Sequence, residues 1–431
     1  MLDRRFAFVS VVAVAALALL CAPLSAQKKR RRDPGAGRLI TEFPVPDVAP
    51  IDVAAATEKA LAAMLGREEE GGQWPYEGVY REDRGALPQG YRVGGTSISI
   101  LGMVCAPGYR EHGPRKQAVD RALRFVLKTL DVERMQEGFQ GGYDVRGWGH
   151  IYALTCLLYL DDFDLVPKEL QEQVDQRIPW LTKVLVDSAI PKSGGWNYSR
   201  RRGYMSPRNR ASTFMTAPAL QALFHAKARG YDVPDDVVEQ ALAALERARS
   251  QEGGYAYGAP EDSRNEVADE DLGMMDKTPS AAARAAVCET TLMLAGRGDA
   301  ARHAAAVRLF FEHWDDLAVR KSQRGTHIPP YGIAPYYFLF GHMYCAQAIE
   351  LLADEALRDE CRQKMRVMLA RSIERKTARG TTASSAARRA TGRRWRCWRC
   401  TCPACRGLTP GGSLRPRSDV RPARAQLSRC T

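Results

Sequence analysis

The chain has 431 residues, 45% of them hydrophobic, enough for a sizeable buried core and too many for a disordered or fibrous polypeptide. Its formal net charge of +13 is unevenly spread: residues 381 to 431 carry twelve Arg against one acid, Asp419, which leaves the rest of the chain almost neutral. The body of the protein therefore has no basic footprint, and nucleic acid is not an expected partner.

At the N-terminus, Arg4 and Arg5 precede an apolar run from Phe6 to Ala22 and then Pro-Leu-Ser-Ala before Gln27. A charged, an apolar and a small-residue region in that order predict a signal peptide over 1–26, cleaved after Ala26, and hence a periplasmic or secreted protein. The apolar run is short for a bilayer span, so no membrane-spanning segment is expected once it is removed. Residues 27–50, rich in charge, Pro and Gly, predict a flexible linker. Cys105, Cys156, Cys288, Cys345 and Cys361 follow singly; an odd number cannot all pair, and the apolar runs around Cys156 and Cys345 predict buried thiols.

From residue 51 onward a glycine-aromatic loop recurs: EEEGGQWPYEG (68–78), EGFQGGYDVRGWG (137–149), KSGGWNYS (192–199) and QEGGYAYG (251–258). Each leads into an apolar helical stretch: GTSISILGMVC from Gly95, GHIYALTCLLYL from Gly149, STFMTAPALQALFHA from Ser212 and AAARAAVCETTLML from Ala281. A fifth unit, from Gly325, keeps the helix with a weaker loop. The stretches DLVPKELQEQVDQRIPWL (164–181) and YDVPDDVVEQALAALERA (231–248) match one another, each with a proline at the expected first helical turn and, in the second, an apolar stripe at Val238, Leu242 and Leu245. Each unit thus holds an enclosed helix and a half-exposed one, which predicts an all-α chain with an inner and an outer ring. In the loops, paired glycines supply turns with φ > 0, and Trp74, Tyr143, Trp196 and Tyr255 are expected to tuck against the neighbouring helices as structural anchors.

Gly-Gly-aromatic loops alternating with inner and outer helices resemble the prenyltransferase and squalene oxidase repeat proteins, and GWGHIYALTCLLYL in particular resembles a unit of their exported bacterial members. The resemblance covers 51–376 and implies an α/α toroid. It also implies where chemistry would sit. A terpene cyclase of this kind uses an acidic D-x-D-D to protonate an olefin; the nearest match here is LDDFDL, with Asp161, Asp162 and Asp164, in the order D-D-x-D. The competing interpretation of these acids is a polar turn between helices. Protein prenyltransferases hold zinc with Asp, Cys and His; His342 resembles the last of these, but the paired D-x-C is missing and Asp276 is far from Cys288, so no metal site is expected.

His150 and Tyr152 stand where the Trp148 loop enters an inner helix, and with Trp148, Tyr336, Tyr337, Phe338 and His342 they are candidates to line a central cavity suited to a lipid, isoprenoid or glycan. Either a loop-bonding or a catalytic role is open to His150. Arg200 and Arg202, in SRRRGYMSPRNR (199–210), could hold an anionic group, or could face the acidic stretch 260–276 as a solvated pair of loops. The chain lacks G-x-S-x-G, H-E-x-x-H and P-loop motifs, and no cofactor is indicated. Two functions remain: an exported toroid that binds a hydrophobic molecule (isoprenoid or lipid), a glycan or a protein, or an enzyme. The enzyme would be a terpene cyclase or prenyltransferase relative, or an α/α-toroid lyase or hydrolase acting on polysaccharide.

Residues 377–431 form a basic, Cys-rich tail expected to be disordered. Its CWRCTCPAC has one residue between two C-x2-C pairs, too little chain to wrap a tetrahedral ion. Shifting the frame of a back-translation turns WRCWRC into an apolar helical pattern, which predicts that residues from about 379 onward are an out-of-frame translation of a sixth repeat and that the toroid lacks its final repeat.

Overall fold

The computed structural model describes residues 49–74, 88–137, 145–197, 210–261, 267–320 and 327–382, with side chains as far as Ser372. The expected signal peptide, nearly all of the expected linker and the expected tail beyond residue 382 lie outside the described residues, as do Tyr143, Arg200 and Arg202.

The described residues form twelve α-helices and no strand. They are α1 (Val53–Leu65), α2 (Gln89–Cys105), α3 (Gly113–Leu130), α4 (Arg146–Asp162), α5 (Gln171–Asp187), α6 (Thr213–Ala228), α7 (Asp235–Ala248), α8 (Thr278–Leu294), α9 (Ala300–Glu312), α10 (Trp314–Arg320), α11 (Tyr337–Glu350) and α12 (Glu355–Thr382). The described residues are all-α, as the repeat predicts, and α12 runs on past residue 376.

Two kinds of helix alternate, and composition explains which is which. In α4 every residue from Gly149 to Leu160 is buried, and α2, α6, α8 and α11 are likewise buried on almost all sides. In α7 the buried residues Val238, Ala241, Leu242, Ala244, Leu245 and Ala248 make one stripe, with Asp235, Asp236 and Arg247 outside it. The enclosed helices pack in series, α2 on α4, α4 on α6, α6 on α8 and α8 on α11, while α3, α5, α7, α9 and α12 each pack against the enclosed helix preceding them. Near the ends of the described chain, the Ile51 N–H donates to the Arg366 carbonyl on α12 at 3.4 Å.

The first contact in the series is the closest. A side-chain carbon added at Gly94 would lie 2.3 Å from Cζ3 of Trp148, and one at Gly90 would lie 2.1 Å from the Val145 carbonyl oxygen. Of two glycines one turn apart on α2, Gly90 therefore lets the start of α4 approach backbone to backbone and Gly94 makes room for the Trp148 ring.

The repeated loop does in atomic detail what its residues suggest. Gly71, Gly72, Gly194, Gly195 and Gly253 all have positive φ. After the turn the Trp74 indole donates to the Met64 carbonyl at the end of α1 at 2.9 Å, and the Trp196 indole donates to the Leu185 carbonyl at the end of α5 at 2.8 Å. Their backbone N–H groups donate to Thr96 and Thr216 of the following enclosed helix, each at 3.0 Å. One aromatic residue thus bonds a carbonyl in the last turn of the preceding helix and ties it to the next enclosed one. Tyr255, in the third described copy, instead reaches across with its hydroxyl to Glu289 of α8 at 2.9 Å.

The turns after α4, α6 and α8 share one cap. Asp164, Gly230 and Gly296 have positive φ, and the next N–H in each case returns to a carbonyl in the last turn: Leu165 to Leu160, Tyr231 to Ala226, Arg297 to Leu292. Asp164 therefore corresponds to glycine in the two later repeats. The prolines expected inside the first helical turn stand just before it: Pro234 is the N-cap of α7, and Pro167 precedes a 3₁₀ turn, Lys168–Leu170, that leads into α5.

Candidate functional site

Aromatic side chains from the N-terminal portions of four enclosed helices meet in one continuous belt. On α4, Trp148 packs edge-on against Tyr91 of α2, with ring centroids 5.8 Å apart, and against Tyr152 at 4.8 Å. The Tyr152 hydroxyl is 3.1 Å from the Tyr344 hydroxyl of α11, and Tyr344 packs on Phe340 at 4.7 Å. Phe340 meets Phe214 of α6 at 4.4 Å, and Phe214 also contacts Tyr336, Tyr337 and, on the loop before α8, Tyr257. Burial raises the hydroxyl pKa of Tyr152, Tyr337 and Tyr344, so all three remain protonated donors. Gln221 of α6 also donates to Thr291 of α8 at 3.0 Å and accepts from Gln347 of α11 at 2.9 Å, so these three helices are joined by buried polar side chains.

Helix α8 adds a cation rather than a ring. Arg284 is fully buried; its guanidinium carbon lies 5.5 Å from the centre of the Phe214 ring, 5.8 Å from Tyr257 and 5.4 Å from Tyr337. Its Nε donates to the Tyr255 carbonyl at 2.9 Å and one Nη to the Met275 carbonyl at 2.8 Å. Nearby His327 donates from Nδ1 to the Gly332 carbonyl at 2.9 Å; burial lowers its pKa, and the charges of Arg284 and Arg320 add to the effect against that hydrogen bond, so the ring stays neutral.

Four of the residues singled out in the sequence, Trp148, Tyr152, Tyr336 and Tyr337, fall in this belt. Phe338 does not: it turns away onto Trp314 and His342. His342 is buried with both ring nitrogens engaged, Nδ1 donating to the Phe338 carbonyl at 2.6 Å and Nε2 accepting from the Trp314 indole at 2.9 Å. His150 likewise points outward, its Nε2 donating to the Met135 carbonyl at 2.9 Å and its ring packing edge-on to Trp180 of α5.

Asp161 and Asp162 end α4 in an ion cluster at the far end of the helix from Trp148. Arg229, the C-cap of α6, bonds both carboxylates; His225 is 2.7 Å from Asp162, and Gln171 donates to Asp161 at 2.8 Å. Burial favours protonated Asp162, but the hydrogen bonds and charges of His225 and Arg229 outweigh it and hold the carboxyl below its usual range. Asp164 is the positive-φ residue of the cap and lines an open surface cleft of about 680 Å³ with Tyr109, Lys116 and Pro167.

Sequence reasoning missed Phe214, Tyr257, Phe340, Tyr344 and Arg284. The available signal was spacing: Trp148 and Tyr152, like Tyr336, Phe340 and Tyr344, recur every four residues and so share one helical face. It also missed Glu289, a buried carboxylate on α8 that accepts from the Tyr255 hydroxyl and, at 3.0 Å, from Arg249, with Arg302 at 3.3 Å. Among the described residues no group of three or more His, Cys, Asp or Glu is placed to hold a metal, and no helix is long and apolar enough to cross a membrane. No protein-family model, curated protein or solved structure matches the chain.

Proposed function

We propose that the chain is an exported α/α toroid of prenyltransferase and squalene oxidase-like repeats that binds a hydrophobic ligand, an isoprenoid or another lipid, within its inner ring. The observation that carries this reading is the aromatic belt, in which α2, α4, α6 and α11, helices far apart in sequence, present rings to one another, those of α6 and α11 also facing a buried cation. Core packing alone is served as well by aliphatic side chains; large rings with protonated hydroxyls give an apolar wall that also orients a ligand. The serial packing of the enclosed helices accords with successive units of such a toroid.

Ligand binding is favoured over acid-initiated cyclisation because the acids nearest in pattern to a D-x-D-D motif are paired with Arg229 and His225, and Asp162 is held in its ionised form. A general acid needs a raised pKa and a position against an apolar ligand. Native mass spectrometry of the protein purified from its own cells tests the reading. A discrete apolar mass adduct that is lost in a Phe214→Ala, Tyr337→Ala double variant of unchanged helical content is the expected result; an adduct-free protein that also fails to take up added lipid would refute it.

A further inference from the structure

The charge of Arg284 is met differently from that of several other buried or half-buried arginines. Arg229 is paired with Asp161 and Asp162, Arg249 and Arg302 with Glu289, and Arg362 with Glu350. Arg115, equally buried, directs its guanidinium at the carbonyls of Met103, Ala106 and Pro107, where α2 ends and the helix dipole is negative. Arg284 lies in the second turn of α8, towards the positive end of its helix, and among the described residues no carboxylate is within salt-bridge distance. Two of its nitrogens are satisfied by carbonyls, but the remaining Nη is buried without a hydrogen-bond partner. An unpaired buried cation is costly, and ring quadrupoles at 5.4–5.8 Å offset only part of that cost.

We propose that this free Nη is the recognition point for the head group of an amphiphilic carboxylate, whose apolar body lies along the aromatic belt. The inference rests on the apolar-ligand reading and adds the charge and place of the head. One Nη carries two N–H donors, which suits one carboxylate; a phosphate dianion would call for more donors than remain. Tyr257, Tyr336 and His327, which pack around Phe214 and Tyr337, are only partly buried, and the proposal requires these side chains to move aside to admit the head group. Binding then completes the guanidinium's hydrogen bonds in a low-dielectric site, where a charge-assisted pair is strong.

The test is the affinity of the full chain for oleate, oleyl alcohol and oleyl phosphate by equilibrium dialysis, in about 0.5 M NaCl so that exposed charges are screened. Oleate is expected to bind at least ten-fold more tightly than the alcohol, and Arg284→Gln to reduce that ratio to near one. Equal affinity for oleate and the alcohol would overturn the inference while leaving the apolar-ligand reading in place. Preference for oleyl phosphate would overturn the carboxylate assignment, and binding of none of the three would overturn both. Should Arg284→Gln fail to fold, the wild-type ratio decides the head-group preference, and Arg284→Lys, which keeps the charge with a different donor geometry, tests the place: an oleate-to-alcohol ratio unchanged in Arg284→Lys would contradict recognition by the Nη.

Discussion

Asp164 shows how a single residue can be misread from a motif. In sequence it completes an acidic triplet; in the fold it occupies a left-handed position filled by Gly230 and Gly296 in the next two units. A non-glycine residue there carries backbone strain, somewhat relieved for Asp, so Asp164→Gly is expected to leave stability unchanged or raise it by up to about 1 kcal/mol in a thermal melt. A required acid at this position would instead appear as lost function in an otherwise stable variant. His303 provides a pH signature. It is buried on α9 beside Thr290, and burial lowers its pKa to about 4 from an ordinary 6.5. The unfolded chain takes up this proton below pH 6.5 and the folded chain only near pH 4, so folding stability falls as pH drops between those values. The loss amounts to at most about 3 kcal/mol. Denaturant titrations at pH 7 and pH 4.5 should show this slope in the wild type and a shallower one in His303→Gln.

At the level of helices, the α2–α4 contact makes the sharpest demand. Gly94→Ala places a methyl against the Trp148 ring at 2.3 Å and is expected to cost about 3 kcal/mol, whereas Gly113→Ala, with no atom within 4 Å, should change stability by no more than about 1 kcal/mol. Equal effects of the two, measured by chemical denaturation, would mean that the helices do not cross where the glycines place them. The helices themselves were legible because burial leaves a pattern: an unbroken apolar run in α4, a single stripe in α7. The loop anchors were legible for the same kind of reason, since Gly-Gly followed by an aromatic residue specifies both a turn and a side chain to bury. The charge pairs were not. Glu289 meets Tyr255, Arg249 and Arg302 only because separate units pack together, and nothing local to residue 289 announces those partners.

For the molecule as a whole, the same distinction decides what could be known of the site. Trp148, Tyr152, Tyr336 and Tyr337 were recognisable as candidates because they open enclosed helices. Arg284, Phe214 and Tyr257 were not, because their meeting depends on the angles at which α6, α8 and α11 pack, and those angles are set by contacts between units distant in sequence. The acids and histidines were prominent as residue types, yet Asp162, His150 and His342 all make bonds that join helices or loops. Prominence in sequence followed chemical type, whereas the belt follows geometry. The central claim is that the belt is a binding surface, and photolabelling addresses it most directly: an alkyl diazirine is irradiated with the protein, and modified residues are mapped by peptide mass spectrometry. The account expects labels concentrated on Trp148, Tyr152, Phe214, Tyr336 and Tyr337, suppressed by excess unlabelled lipid. Labels confined to the half-exposed helices, or insensitive to that competitor, would contradict it.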